Sequence, residues 1–159
     1  MAYLIDGSNF IGYLSPSGLK DPKTKYSLVS RLFIFQRTKK TRVLLVFDGT
    51  ADLNLIGKRF QKKSFSVIFP PPDQNADEVI KEIISKQTDL RRFYVVSSDR
   101  EIKDFARSKG AKSMSCKEFN REFKTALKEH KKSQELEKTF DPPSPLETDQ
   151  WLKIFKAKK

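Results

Sequence analysis

The unbroken apolar run Val43-Leu44-Leu45-Val46-Phe47 narrows what this chain can become more than any other stretch. A strand wet on one face alternates apolar and polar residues. A continuous run marks a strand covered on both faces, the condition of strands in a parallel sheet. The run stops abruptly at Asp48-Gly49. Tyr3-Leu4-Ile5 behaves the same way, stopping at Asp6-Gly7 before Ser8-Asn9 and a return to Phe10-Ile11. That sequence predicts a strand over residues 2–5, a tight turn and a helix. Phe93-Tyr94-Val95-Val96 forms a further run and ends in Ser97-Ser98-Asp99.

Between these runs the period changes. Leu28, Val29, Leu32 and Phe35 recur at helical spacing within residues 26–39, and Val79, Ile80, Ile83 and Ile84 do so within 76–86. A strand is expected at 65–69, closed by Pro70-Pro71-Pro72, and a short one at 111–114. A helix carrying Ile102, Phe105 and Ala106 should stop at Gly110. Ser115 with Glu118 makes a capping box for a helix holding Phe119, Phe123 and Leu127. Strands alternating with helices predict an α/β fold: a Rossmann-like, three-layer α/β/α arrangement around a mainly parallel sheet.

Residues 1–127 read as this one domain, and 128–159 as a charged linker followed by a short C-terminal helix. Residues 128–138 are mostly charged and are expected to fray. Asp141-Pro142-Pro143-Ser144-Pro145 then breaks the chain. Ser144 suits an N-cap, Pro145 a first helical position, and Glu147 completes a second capping box. The helix so begun carries Trp151, Leu152 and Phe155 and is expected to dock back on the domain.

The chain has 159 residues, enough for one domain with a real core. Its 32 Lys and Arg outnumber 20 Asp and Glu, and the net charge of +12 suits a partner made of phosphates. A solvated basic surface is the plainer alternative. The single cysteine, Cys116, excludes an internal disulfide and fits a reducing compartment. With the first strand opening at residue 2, no signal peptide is expected before it. No apolar stretch approaches membrane-spanning length. The expectation is a cytoplasmic protein with no membrane partner.

In a parallel sheet the carboxyl ends of all strands share one edge, where open α/β sheets place their ligands. That edge would gather Asp6, Asp48 and Asp99, with Asp77 opening the helix after the third strand. Asp77 lies near the face carrying Ile80 and Ile84, whereas Glu78 points away with Glu82, so Asp77 is assigned to the site and Glu78 to solvent. Crowded carboxylates repel unless a cation sits among them. An all-oxygen set fits Mg²⁺ or Mn²⁺ rather than zinc, and the sole histidine, His130, lies in the charged tail. Taken singly, each aspartate is better explained as a cap or a turn residue. Four at one predicted edge, in so basic a chain, favour a metal site for phosphodiester hydrolysis. Asn9 and Ser98 stand beside the carboxylates, to hold a ligand water or a phosphate oxygen, or simply to cap. Substrate grip is expected from two acid-free basic stretches. The first holds Lys23, Lys25, Arg31, Arg37, Lys39, Lys40 and Arg42, and the second Lys58, Arg59, Lys62 and Lys63. Arg100 follows Asp99 and joins this set. Tyr13 and Phe60 are open to base stacking, and Phe10 to the core.

The blocks Asp6-Gly7-Ser8-Asn9-Phe10-Ile11, Val46-Phe47-Asp48, Asn75-Ala76-Asp77-Glu78-Val79-Ile80 and Val95-Val96-Ser97-Ser98-Asp99-Arg100 resemble the YacP-like NYN domains, part of the PIN-like nuclease group. The similarity runs from about residue 3 to 123. It implies a Rossmann-like fold and metal-dependent cleavage of RNA, and some relatives are understood to cut messenger RNA on ribosomes. Asp6, Asp77 and Asp99 match the family's acidic metal positions, Asp48 a further acidic one, and Asn9 and Ser98 polar ones. Ser8 departs from the aromatic or similar residue usual between the glycine and the asparagine. The resulting expectation is an Mg²⁺- or Mn²⁺-dependent endoribonuclease acting on single-stranded RNA, with RNA and the ribosome as partners. The alternative is a non-catalytic RNA- or ribosome-binding module with a degenerate acidic site. An aspartyl-phosphate enzyme ranks lower, because Ser8 stands where its second aspartate would be.

Overall fold

A computed structural model describes residues 1–16, 21–49 and 61–140, with 137–140 described by backbone alone. Lys58, Arg59, Phe60 and the proposed C-terminal helix with Trp151, Leu152 and Phe155 lie outside the described residues.

The elements alternate as the periodicities predict. They are β1 (Ala2–Asp6), α1 (Gly7–Leu14), α2 (Pro22–Lys39), β2 (Arg42–Val46), β3 (Phe65–Ile68), α3 (Ala76–Lys86), β4 (Phe93–Val96), α4 (Arg100–Ser108), β5 (Lys112–Met114) and α5 (Cys116–Phe140). The five strands pair in the order β3-β2-β1-β4-β5, every pair parallel. The crossovers carry the chain one way from β1 to β3 and then back across to β4. The order therefore reverses between β1 and β4, and a crevice opens there at the carboxyl edge.

Successive strand residues feed opposite faces, so both layers of core are dry. Tyr3, Ile5, Val43 and Leu45 pack with Phe10 and Ile11 of α1, Leu28, Val29, Leu32 and Phe35 of α2, and Phe119, Phe123 and Ala126 of α5. Leu4, Leu44 and Val46 pack on the other side with Val79, Ile80 and Ile84 of α3 and Ile102 and Ala106 of α4. Aromatic rings fill the first layer: Phe35 meets Tyr3 edge-on at 5.4 Å and Phe119 at 5.1 Å. The buried Tyr3 hydroxyl donates to Glu122 Oε1 at 2.8 Å, which gives that polar tip its partner. Phe10 is a core residue, as expected, and Cys116 is buried.

Two elements differ from the sequence expectation. Helix α2 starts at Pro22 rather than 26, because Asp21 caps it through Lys23 N–H at 3.0 Å and Pro22 suits the first turn. Helix α5 continues to Phe140 instead of fraying after residue 127. The run from 128 to 140 contains no glycine or proline. Glu129 and Lys132, and Lys131 and Glu135, stand at spacings that support a helix. The compact unit Met1–Leu127 holds the whole sheet, and the second unit begins at Lys128. Among the described residues, no helix is long and apolar enough to cross a membrane.

Candidate active site

Asp6 is at once the last residue of the central strand and the N-cap of α1. Its Oδ1 accepts Asn9 N–H at 3.3 Å, and its Oδ2 accepts the Ser97 hydroxyl at 3.3 Å. Only 6% of its surface is exposed. Burial, reinforced by the charges of Asp77 and Asp99, raises its carboxyl to about 6, against the opposing pull of the Asn9 and Ser97 hydrogen bonds.

Gly7 opens α1 where no side chain fits. A Cβ there would lie 2.7 Å from two atoms of the Phe47 ring and 3.0 Å from the Val46 carbonyl oxygen. This close approach ties the end of β1 to the end of β2. Ser8 completes the tie, its Oγ accepting Asp48 N–H at 3.0 Å.

Asp99 caps α4 by accepting Glu101 N–H at 2.9 Å. Its own N–H donates to Ser97 Oγ at 3.1 Å, so one buried hydroxyl joins the backbone of Asp99 to the carboxylate of Asp6 across the β1–β4 crevice. Asp77 is in the first turn of α3, which is held by a capping box: Asn75 accepts Glu78 N–H at 2.8 Å, and Glu78 accepts Asn75 N–H at 3.1 Å. Glu78 is thereby committed to the cap. Burial first, then Asp99, Glu101 and Asp48, raise the Asp77 carboxyl, while Lys81 one turn along opposes them. The mutual repulsion links all four aspartates in one electrostatic neighbourhood: Asp6 feels Asp77 and Asp99, and Asp77 feels Asp99 and Asp48.

Several residues stand elsewhere than the sequence alone suggested. Asn9 does not present its oxygen to solvent. Asn9 Oδ1 accepts Ser98 N–H at 2.7 Å and Cys116 Sγ–H at 3.1 Å, so Asn9 fastens the first turn of α1 to the loop after β4 and to the start of α5. Ser98 contributes its backbone to that joint, whereas Ser97, not singled out beforehand, supplies the hydroxyl between the carboxylates. Its position directly after a buried run was the available signal. Lys81 was also missed. It pairs with Glu101 at 2.7 Å and feels both Asp77 and Asp99, and its i+4 spacing from Asp77 pointed there.

The basic residues divide between the two edges of the sheet. Lys39 and Lys40 immediately precede β2, and Arg42 is its first residue; Lys62 and Lys63 precede β3. All five therefore stand at the amino edge, roughly 13 Å of strand away from the carboxylates. Arg100 begins α4 at the carboxyl edge and is exposed. Lys25 belongs there too, its Nζ 5.7 Å from the centre of the Phe47 ring.

The donors at the carboxyl edge are carboxylate and hydroxyl oxygens. As the side chains stand, no three His, Cys, Asp or Glu residues among those described are gathered tightly enough to cage a metal ion. This open, negatively charged set suits Mg²⁺ or Mn²⁺. Mg²⁺ commonly keeps several waters and takes only one or two protein carboxylates. It suits zinc poorly, which needs a closed set with nitrogen or sulfur.

No curated protein matches the sequence. Among solved structures, Rae1 (YacP) from Bacillus subtilis superposes with a TM-score of 0.73 at 23% identity, over 98% of this chain and 92% of that one. A tryptophan-to-leucine variant of the same protein gives 0.65 at 24% identity, over 82% and 79%. At these identities the likeness shows a shared fold. The sequence profile of the YacP-like NYN domain matches residues 3–154, nearly the full length. This chain therefore belongs to the YacP-like NYN domain family, a family of PIN-like nuclease type.

Proposed function

We propose that the protein is a metal-dependent endoribonuclease that cuts single-stranded RNA at the carboxyl edge of its sheet. The observation that carries this reading is the mutual electrostatic influence of Asp6, Asp48, Asp77 and Asp99, delivered by four separate segments to the β1–β4 crevice and its rim. Negative charge of this kind, only partly offset by Lys81, raises the carboxyls of Asp6 and Asp77 and is relieved by a divalent cation. Asp6, Asp77 and Asp99 would hold Mg²⁺ or Mn²⁺. The bound ion would supply an acidified water and offset charge on the phosphate.

The chain's own groups do the rest. The Ser97 hydroxyl and Asn9 N–H fix both oxygens of Asp6, so the carboxylate is oriented before a ligand arrives. Asp48, exposed at the rim, would orient the attacking water. Lys81 and Arg100 bring positive charge to the same rim and would hold the phosphates flanking the cut. The amino-edge residues Lys39, Lys40, Arg42, Lys62 and Lys63 would engage other parts of an RNA, or the RNA of a ribosome, rather than the phosphate being cleaved.

The test is incubation of labelled single-stranded RNA with purified protein, with and without Mn²⁺, beside Asp77→Asn. Cleavage by the wild type only with metal, and loss of about a hundredfold or more in the variant, is expected. Equal cleavage by Asp77→Asn, or by the wild type in excess EDTA, overturns the reading.

A further inference from the structure

A cavity of about 430 Å³ lies between the last turn of α1 and the first three turns of α2. Its apolar wall is Ile11 and Leu28, both buried in the core. Leu14, Thr24, the hydroxyls of Ser15 and Ser27 and the exposed cations Lys23 and Arg31 complete its lining. Neither cation makes an ion pair among the described residues, and no acid lines the cavity among them. The nearby Asp21 is already engaged, accepting Lys23 N–H at 3.0 Å and the Thr24 hydroxyl at 3.3 Å in capping α2.

An apolar wall, two hydroxyls and two cations without an ion pair among the described residues make a site for a group that is flat or apolar on one side and anionic on the other. The volume falls within the range of small-ligand sites. Arg31 brings a planar fork suited to phosphate oxygens and Lys23 a mobile point charge. The location fixes which phosphate is meant. Helix α1 leaves Asp6 and reaches Leu14 after about 12 Å, so the cavity is one short helix from the acidic crevice. Lys25, on the next position of α2 but one from Lys23, sits over Phe47 beside Asp48 and puts the start of α2 at the same edge.

We propose that this cavity is a ribonucleotide subsite: it takes one nucleotide of the RNA strand, a short distance along from the cut. The phosphate meets Lys23 and Arg31, the ribose hydroxyls meet Ser15 and Ser27, and the sugar or base face lies on Ile11 and Leu28. The subsite fixes where on a strand cleavage falls. It rests on reading the carboxyl edge as a ribonuclease site, but binding and cleavage are separable.

The test measures fluorescence anisotropy of a labelled single-stranded oligoribonucleotide, about ten nucleotides long, in EDTA. The proteins are the wild type, the double variant Lys23→Gln/Arg31→Gln, Ser27→Trp, which fills the cavity at unchanged charge, and Arg107→Gln on α4 as the control. Circular dichroism verifies folding, and the double variant alters only exposed side chains should Ser27→Trp misfold. About tenfold weaker binding is expected for both cavity variants. The salt dependence should flatten by about 0.7 logarithmic units per decade in the double variant, the share of one phosphate on a single strand. Arg107→Gln should stay within about twofold. Unchanged affinity in the cavity variants, or no RNA binding by the wild type, overturns the proposal. Uridine 5′-monophosphate is titrated in parallel. If Ser27→Trp loses the mononucleotide yet keeps the oligonucleotide, the cavity serves a free nucleotide and the strand subsite is refuted. Parallel incubation with Mn²⁺ separates the two readings. Cavity-dependent binding without any cleavage leaves the subsite standing and sinks the nuclease; cleavage unaffected by the cavity variants does the reverse.

Discussion

Asp6 carries the clearest energetic signature of a site built for something other than stability. Its folded carboxyl is raised to about 6 from an ordinary 3.8, chiefly by burial. The folded state therefore holds the proton more tightly than the unfolded chain does. The ionised carboxylate weakens the metal-free fold above pH 6, and that cost disappears as the pH falls through 6 toward 3.8. Asp6→Asn keeps an N-cap oxygen and the Ser97 partner while removing the charge. In EDTA at neutral pH the variant should be about 1–3 kcal/mol more stable than the wild type, with the gap closing at acid pH. Thermal unfolding across pH measures it, and an unstable variant at neutral pH would contradict the electrostatic account. Gly7 sets a second residue-scale condition. Gly7→Ala should cost about 1–3 kcal/mol by pressing a methyl into the Phe47 ring, and should slow cleavage by spreading Asp6 from Asp48. Denaturant titration and a cleavage assay on one preparation check both effects.

At the level of elements, each carboxylate is only as well placed as the helix that starts beside it. Asn75 does not touch the crevice, yet its capping box fixes the first turn of α3 and with it Asp77. Asn75→Ala should cost about 1 kcal/mol and lower the cleavage rate with little change in RNA affinity. Urea unfolding together with steady-state kinetics distinguishes this from a simple loss of fold. The same elements show what a sequence reader can see. β1, β2 and β4 were legible because a strand buried on both faces must be apolar throughout, and their ends gave Asp6, Asp48 and Asp99 directly. Helical phase alone separated Asp77 from Glu78. The joints were not legible: Asn9 bonding Ser98 and Cys116, or Ser97 bridging two aspartates, depends on which loops meet in space, and local spacing carries no such information. α5 was misjudged because charge was weighed above helix propensity in a run that has no breaker.

The whole molecule shows why a cluster in sequence is a poor guide to a cluster in space. Lys39, Lys40, Arg42, Lys62 and Lys63 looked like substrate grip because they were dense. A cation that comes just before a parallel strand is nonetheless carried to the amino edge, opposite the strand's terminal carboxylate. Lys81 of α3 and Arg100 of α4 occupy the carboxyl edge instead, where sequence density did not mark them, and of the first dense stretch Lys25 joins them there. Among the described residues the sheet is therefore polarised along its strands, with Lys39, Lys40, Arg42, Lys62 and Lys63 at the amino edge and Asp6, Asp48, Asp77 and Asp99 at or beside the carboxyl edge. In dilute salt a polyanion should be drawn first to the amino pole, and when held there alone, back to front, that capture should compete with productive encounter. Mild screening should loosen that embrace before it weakens the hold at the cutting end, so turnover measured against potassium chloride should climb, crest and then decline, and a monotonic fall from the lowest ionic strength would show that no such misorientation occurs.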